Sequence, residues 1–505
     1  MIKPNAERMQ SLIQQLMEFR KVETGYLELY VQDVDMWELV ANTTGNFVDI
    51  AEEKEITFVC SLEENIEEIN LNELIKKENE RIDKIIENSK LLEHTQIKNY
   101  ETKESQKENP IEKSQKELTK ELIKAADQFI VYRPTFRLHT IIAGYPWFLD
   151  WGRDGLIAFE GITLIPRRFQ VAKEVLLTFV RDIRYGLVPN GYSEYDGRPL
   201  YNSADASLLL FEQVRKYLEY THDYEFLKNQ LYDTLKRIIE EYINGIDLDG
   251  NNIHLDNEDG LLSSGTPQIQ NTWMDAKIGN IVVTPRNGKA IEINALWYNA
   301  LKIMESFANL YKEKELSKKY AELAKKCKES FIKKFYNKKR KCFDDLVDDN
   351  SIRPNQLFAI GLHYPVVEPN SVEAKTAFET VTKKLLTPYG LKTLAKGEKC
   401  YREIYEGDQI KRDMSYHQGI TWSWLLGIYS DSFLNIISAE KNKTKKKELE
   451  EQYSKFAQNV EDTFYNEMYN RSTVGSISEL YDSAKPYEAK GAFAQAWSVA
   501  EVFRI

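Results

Sequence analysis

AIEINALWYNALKIMESFANLY, residues 290–311, carries apolar residues at 3.6-type spacing and predicts a long helix. Eight further stretches repeat that spacing. They are RFQVAKEVLLTFVRDIRYG (168–186), SADASLLLFEQVRKYLEYT (203–221), YDTLKRIIEEYINGI (232–246) and ELSKKYAELAKKCKESFIKKF (315–335), then SVEAKTAFETVTKKLL (371–386), GITWSWLLGIYSDSFLNII (419–437), ELEEQYSKFAQNVEDTFYN (448–466) and GAFAQAWSVAEVFRI (491–505). The loops between them hold most of the Gly, Trp and Arg, with acidic residues that no helix face needs. Regular helices joined by such loops predict a helical barrel whose loops build a cleft. No internal sequence repeat is visible, which disfavours a solenoid.

Upstream the texture changes. YLELYVQDVDMW (26–37) and EITFVCSL (55–62) have β-type residues with partial alternation and predict strands of a small sheet. From Glu63 to about Lys120 the chain is rich in Glu, Lys, Asn and Gln, as expected of a solvated helical linker. The expected organisation is a small β-containing segment over 1–62, a charged helical linker over 63–120, and a helical domain over 121–505.

Hydrophobic residues make up 42% of the 505, enough for a sizeable core. A net charge of −11 argues against a nucleic-acid surface and suits a neutral substrate. The four cysteines, at 60, 327, 342 and 400, show no paired spacing; reduced thiols are expected, not a disulfide framework or a zinc site. No signal-peptide core and no run of about 18 apolar residues is present, so the expectation is a cytoplasmic protein with no membrane partner. No metal or cofactor is expected, since no ligand spacing, P-loop, dinucleotide fingerprint, serine elbow or zinc-protease motif occurs.

Four loops carry the chemistry. AGYPWFLDWGRDGLIAFEG (143–161) brings Trp147, Asp150, Trp151, Arg153 and Asp154 into a short span. An Arg–Asp pair grips adjacent hydroxyls beside an apolar wall; the alternative is a structural pair, with Asp154 near a helix N-cap. VPNGYSEYDGRPLYNSADAS (188–207) offers Asn202 and Asp205, though Ser203 or Asp205 also suits a cap. QNTWMDAKIG (270–279), running on to GKAIEIN, supplies Trp273, Asp275, Lys277, Arg286 and Lys289; Glu292 there also fits ordinary helix-dipole chemistry. TVGSISELYDSAKPYEAKGAFAQAW (473–497) supplies Glu479. Asp275 and Glu479 are the candidate carboxylate pair, one as acid and one as base or nucleophile. His417, in SYHQGITWSW, either donates to a substrate hydroxyl or is packed.

Taken in order, AADQFIV, IIAGYPWFLDWGRDGLIAFEG, NTWMDAK, GKAIEINALWYNAL, RPNQLFAI, YHQGITWSWLLG and GSISELYD resemble the amylo-α-1,6-glucosidase domain of glycogen debranching enzymes, over roughly residues 120–505. The resemblance implies an (α/α)6 barrel of the six-hairpin glycosidase type and hydrolysis, with inversion, of the α-1,6-linked glucose left at a branch point. It implies that Asp275 is the general acid and Glu479 the general base, and that Trp151, Arg153 and Asp154 belong to the terminal-glucose subsite. Glycogen, limit dextrin or another branched α-glucan is the implied substrate. The N-terminal segment resembles only the tail of the sandwich that precedes the barrel in longer relatives. The chain has no α-amylase-type motifs, so a separate 4-α-glucanotransferase or phosphorylase is expected to act in sequence with it. The competing readings are an α/α-barrel glucosidase acting on short α-1,6 or α-1,4 gluco-oligosaccharides, a phosphorylase on the same barrel, and a glycan-binding protein without turnover.

Burial beside Trp273 is expected to raise the Asp275 pKa, while Lys277 is expected to point elsewhere or toward substrate. Glu479 is expected to stay ionised.

Overall fold

A computed structural model describes residues 71–92, 110–192, 198–472 and 474–505. The strands expected at 26–37 and 55–62 lie outside the described residues. The chain divides into two compact units, Met1–Glu78 and Asn79–Ile505. The first unit is described only from Leu71, where helix α1 (Leu71–Ser89) begins. In the second, α2 (Pro110–Asp127) leads into a hairpin of β1 (Ile130–Arg133) and β2 (Leu138–Ile141). The expected boundary at 120 falls inside α2, whose Leu118, Leu122, Ala125 and Ala126 are buried.

Two kinds of helix then alternate. The helices α3 (Gly152–Phe159), α5 (Ala206–Thr221), α7 (Ile291–Leu310), α11 (Leu425–Ala439) and α13 (Ala496–Phe503) are buried on nearly every face. In α7 every residue from Ile291 to Leu301 is buried. The helices α4 (Phe169–Arg181), α6 (Tyr232–Asn244), α8 (Lys314–Phe335), α9 (Val372–Leu385) and α12 (Lys443–Asn470) bury one stripe only. In α8 that stripe is Ser317, Tyr320, Ala324, Cys327, Phe331 and Phe335, at helical spacing, with lysines and glutamates filling the other faces. A helix apolar all round must be enclosed by others, and one with a single apolar stripe must lie outside them. The packing agrees: α3 lies against α5, α5 against α7, α7 against the short helix Phe358–Gly361, that helix against α11, α11 against α13, and α13 back against α3. Each fully buried leucine or phenylalanine in these faces contributes about 1.5–3 kcal/mol.

The sequence reading took 143–161 for a loop, yet α3 starts at Gly152. Glycine lowers helix propensity, but here it permits close packing. A Cβ at Gly155 meets Phe179 Cζ at 2.6 Å, and one at Gly161 meets the Ala500 carbonyl oxygen at 2.3 Å.

The second departure is a five-stranded antiparallel sheet of very short strands: β3 (Leu386–Thr387), β4 (Gly390–Lys392), β5 (Thr421–Trp422), β6 (Leu480–Tyr481) and β7 (Ala489–Lys490), in that order. Strand β5 occupies the start of a stretch that the periodicity assigned to helix, and α11 begins only at Leu425. Two-residue strands are too short to show an alternating pattern. Leu480 pairs with Lys490 and Trp422 with Leu480, a register that sets Glu479 beside Gly491 and Ala492.

Candidate active site

The first turns of α3 and α13, the loop before α7, and the turn joining helix α10 (Gln409–Tyr416) to β5 surround a cavity of about 410 Å³. Three carboxyl groups line it: Asp154, Asp275 and Glu479. Four tryptophans, Trp151, Trp273, Trp422 and Trp497, add apolar wall, and Asn202, Lys277 and His417 reach it as well.

Asp275 follows the buried Trp273 and Met274 in a stretch that is neither helix nor strand. Its side chain is 29% exposed, and Arg153 Nη1 donates to its Oδ2 at 3.0 Å. Arg153 is itself held from behind, its Nε lying 2.9 and 2.8 Å from the two oxygens of Asp205. Ser203 completes this support, accepting from the Ala206 N–H at 3.0 Å and donating to Asp205. Asp205 thus occupies the N-cap position of α5 but its side chain serves the arginine, and the hydroxyl that accepts from the helix's first N–H is that of Ser203. Arg153 lines the cavity, and its buried Nη2 has no protein partner among the described residues. Burial raises the Asp275 pKa, and Arg153 pulls against that rise. Lys277 does not: its Nζ donates to the Gln268 carbonyl at 2.9 Å.

Asp154, in the first turn of α3, has its pKa pushed up to about 8. Burial is the main cause; Arg153 opposes it, while Asp275 and Glu479 add to it. The protonated form of Asp154 is thereby favoured. Trp151, not Asp154, occupies the N-cap position of α3.

Glu479 is 2% exposed. The Ala492 N–H donates to its Oε2 at 2.8 Å, and the Tyr416 phenol donates to its Oε1. Burial pushes its pKa up to about 7, against these two hydrogen bonds, with Asp275 raising it further. The group titrates near neutrality instead of far below it.

Beneath the cavity, Trp273 stands edge-on to His417, Trp422 and Trp424, with ring centroids 5.3, 5.7 and 5.0 Å away. Its indole N–H donates to Asn355 Oδ1 at 2.8 Å. His417 is packed against Trp422 and also lines the cavity. Burial, with Arg353, Arg153 and Arg286 nearby, keeps its pKa well below the usual histidine value, so the ring is neutral.

Other expected site residues lie elsewhere. Trp147 is 57% exposed and outside the cavity wall, where its neighbour Phe148 stands instead. Asp150 is buried and paired with Arg133. Arg286 is locked between Glu292 and Asp345, with Nε to Asp345 Oδ2 at 2.8 Å and Nη2 to Glu292 Oε2 at 2.6 Å. Asp345 also accepts from Asn355 at 2.8 Å, so Arg286 supports the residue that holds Trp273 and does not face the cavity. Lys289 bridges Asp256 and Asp259 at 2.6 Å each. A cation flanked by carboxylates already has its partners, a fact invisible in a sequence where Asp345 and Asp259 are remote.

The sequence reading missed Phe148, Asn251, Ile269, Gln270, Tyr416, Trp422, Gln495 and Trp497, all in the cavity wall. Tyr416 and Trp422 flank His417 in a stretch already singled out. Gln270 opens a loop already singled out, and Asn251 sits in a polar loop with no distinguishing pattern. Among the described residues, no group of three or more His, Cys, Asp or Glu is arranged to hold a metal ion. None of their helices is long and apolar enough to cross a membrane. Acidic groups with raised pKa, unpartnered donors and aromatic walls suit acid–base chemistry on a neutral polyhydroxyl ligand.

The family model described as amylo-alpha-1,6-glucosidase matches residues 124–504. The chain is 27% identical over 396 residues to the glycogen debranching enzyme of Saccharomyces cerevisiae, covering 59% of this chain and 25% of the yeast protein. It is also 35% identical over 89 residues to the trehalase of Apis mellifera, covering 17% of this chain and 12% of that protein. The chain thus spans about a quarter of the yeast enzyme's length.

Proposed function

The chain belongs to the amylo-alpha-1,6-glucosidase family, and on that premise we propose that it is a glycoside hydrolase releasing glucose from α-1,6-linked branch stubs of glycogen or limit dextrin. The observation that carries this reading is the meeting of Asp275 and Glu479, far apart in sequence, in the wall of one cavity. Asp275, its pKa raised by burial, protonates the glycosidic oxygen. Glu479 removes a proton from water attacking the opposite face of the sugar. Inversion requires the two carboxyl groups about 6.5–9.5 Å apart, with that water between them. Arg153, aligned by Asp205, and protonated Asp154 offer donors for the hydroxyls of the terminal glucose. Trp151 and Trp273 offer apolar wall for its ring.

The alternation of enclosed and one-striped helices, and the return of α13 to α3, support an (α/α)6 barrel over 121–505. Residues 1–62 are proposed as a sandwich remnant and 63–120 as the linker. A separate 4-α-glucanotransferase or phosphorylase is proposed to expose the branch stubs. The short match to a trehalase favours the second reading, a glucosidase for short gluco-oligosaccharides; comparing turnover of limit dextrin with that of a branched trisaccharide separates the two.

The test uses two substrates. Asp275→Asn should lose turnover of branch stubs yet hydrolyse α-glucosyl fluoride, whose leaving group needs no proton. Glu479→Gln should lose both. Retention of branch-stub hydrolysis in either variant refutes the assignment.

A further inference from the structure

We infer that Tyr416 is a positioning residue for Glu479, its phenol donating to Oε1 and, together with the Ala492 N–H on Oε2, holding the carboxylate ionised and oriented to take a proton from water. The inference rests on the reading of Glu479 as the base. Glu479 is enclosed, yet no lysine or arginine pairs with it among the described residues. Asp275, by contrast, has Arg153. The charged or titratable groups facing Glu479 are Asp154, Asp275, Tyr405 and Tyr416; burial and Asp275 oppose its ionisation, and the two phenols have pKa values raised by burial and stay neutral. Among the described residues, two donors offset this environment: the Ala492 N–H at 2.8 Å and the Tyr416 O–H.

Tyr416 is itself aimed. It is the last residue of α10, its carbonyl accepts from Trp422 Nε1 at 3.0 Å, and its ring packs against Trp422 and His417 at centroid distances of 4.9 and 4.8 Å. Tyr405 lies 5.7 Å from it, ring to ring, and has no hydrogen bond to Glu479. It therefore serves as a control for packing alone.

The experiment measures kcat/KM against pH on limit dextrin carrying single-glucose stubs. The base must be ionised, so activity falls below its pKa. Loss of a donor to the carboxylate favours the neutral form and moves that acidic limb upward. Tyr416→Phe should shift the limb up by about one unit, with much of the activity recovered at higher pH. Tyr405→Phe should leave the limb in place. Tyr416→3-fluorotyrosine, a stronger donor of nearly the same shape, should move it down and covers the case in which the phenylalanine variant fails to fold. An unshifted limb in folded Tyr416→Phe, or no downward shift with fluorotyrosine, overturns the inference. Branch-stub turnover absent from the wild type, or retained in Glu479→Gln, overturns instead the reading of Glu479 on which it rests.

Discussion

Gly491→Ala probes the seat of the proposed base directly. Gly491 has φ +73°, and a Cβ there meets Glu479 Oε2 at 2.2 Å and its Cβ and Cδ at 3.0 Å. Two penalties result. The left-handed backbone costs an L-residue about 1–2 kcal/mol. The carboxylate must also retreat by about 1 Å, leaving the Ala492 N–H that it now accepts from at 2.8 Å. A 1 Å misplacement of a reacting group costs about 100-fold in rate. The expected result is kcat about 100-fold lower and the acidic limb of the pH profile displaced upward, with stability reduced by about 1–2 kcal/mol in denaturant unfolding. Gly475→Ala separates the two penalties, because Gly475 has φ +81° and no atom within 4 Å of the new Cβ. It should lose stability and keep kcat. Wild-type kcat in Gly491→Ala, or equal loss in both variants, refutes the placement of Glu479 against this turn.

Arg153→Gln removes the donor to Asp275 and leaves Asp205 buried without its cation; turnover should fall at least 100-fold. The arginine now lowers the Asp275 pKa, so the basic limb of any residual activity should move up. Arg286→Met should unfold at lower denaturant, by about 3–5 kcal/mol, because Glu292 is left as an uncompensated buried charge and Asp345 keeps Arg353 at 3.6 Å as its remaining cation among the described residues. KM should be unchanged, since Arg286 lies outside the cavity; a raised KM with intact stability reverses that placement. Trp273→Phe keeps an aromatic ring but leaves Asn355 Oδ1 without its donor. It should cost about 1–3 kcal/mol of stability, and wild-type unfolding contradicts the role given to that bond.

The helices were legible because each of them repeats one physical demand over many residues. In α8 the stripe from Ser317 to Phe335 can be read at helical spacing, and the unbroken burial of α7 joins a largely apolar sequence to Glu292, Asn294 and Asn299, which are held by polar partners. The small sheet was not legible, because β5 and β6 are two residues each and take their conformation from each other. The site was half legible. Trp151, Arg153, Asp154, Trp273, Asp275, His417 and Glu479 are chemistry-bearing residues in crowded loops, and all of them reach the cavity. Arg286 and Lys289 looked equally suitable, but burial with remote carboxylates satisfies them. Tyr416 was passed over because a tyrosine next to a histidine reads as core until its partner, Glu479, is seen.

The central claim is that Asp275 and Glu479 work from opposite faces of the scissile bond. The most direct measurement tracks the anomer of glucose first released from single-glucose branch stubs, by proton NMR before mutarotation. The account predicts β-glucose from the α-linked substrate. Initial release of α-glucose means retention, and would contradict the roles given to both carboxyl groups.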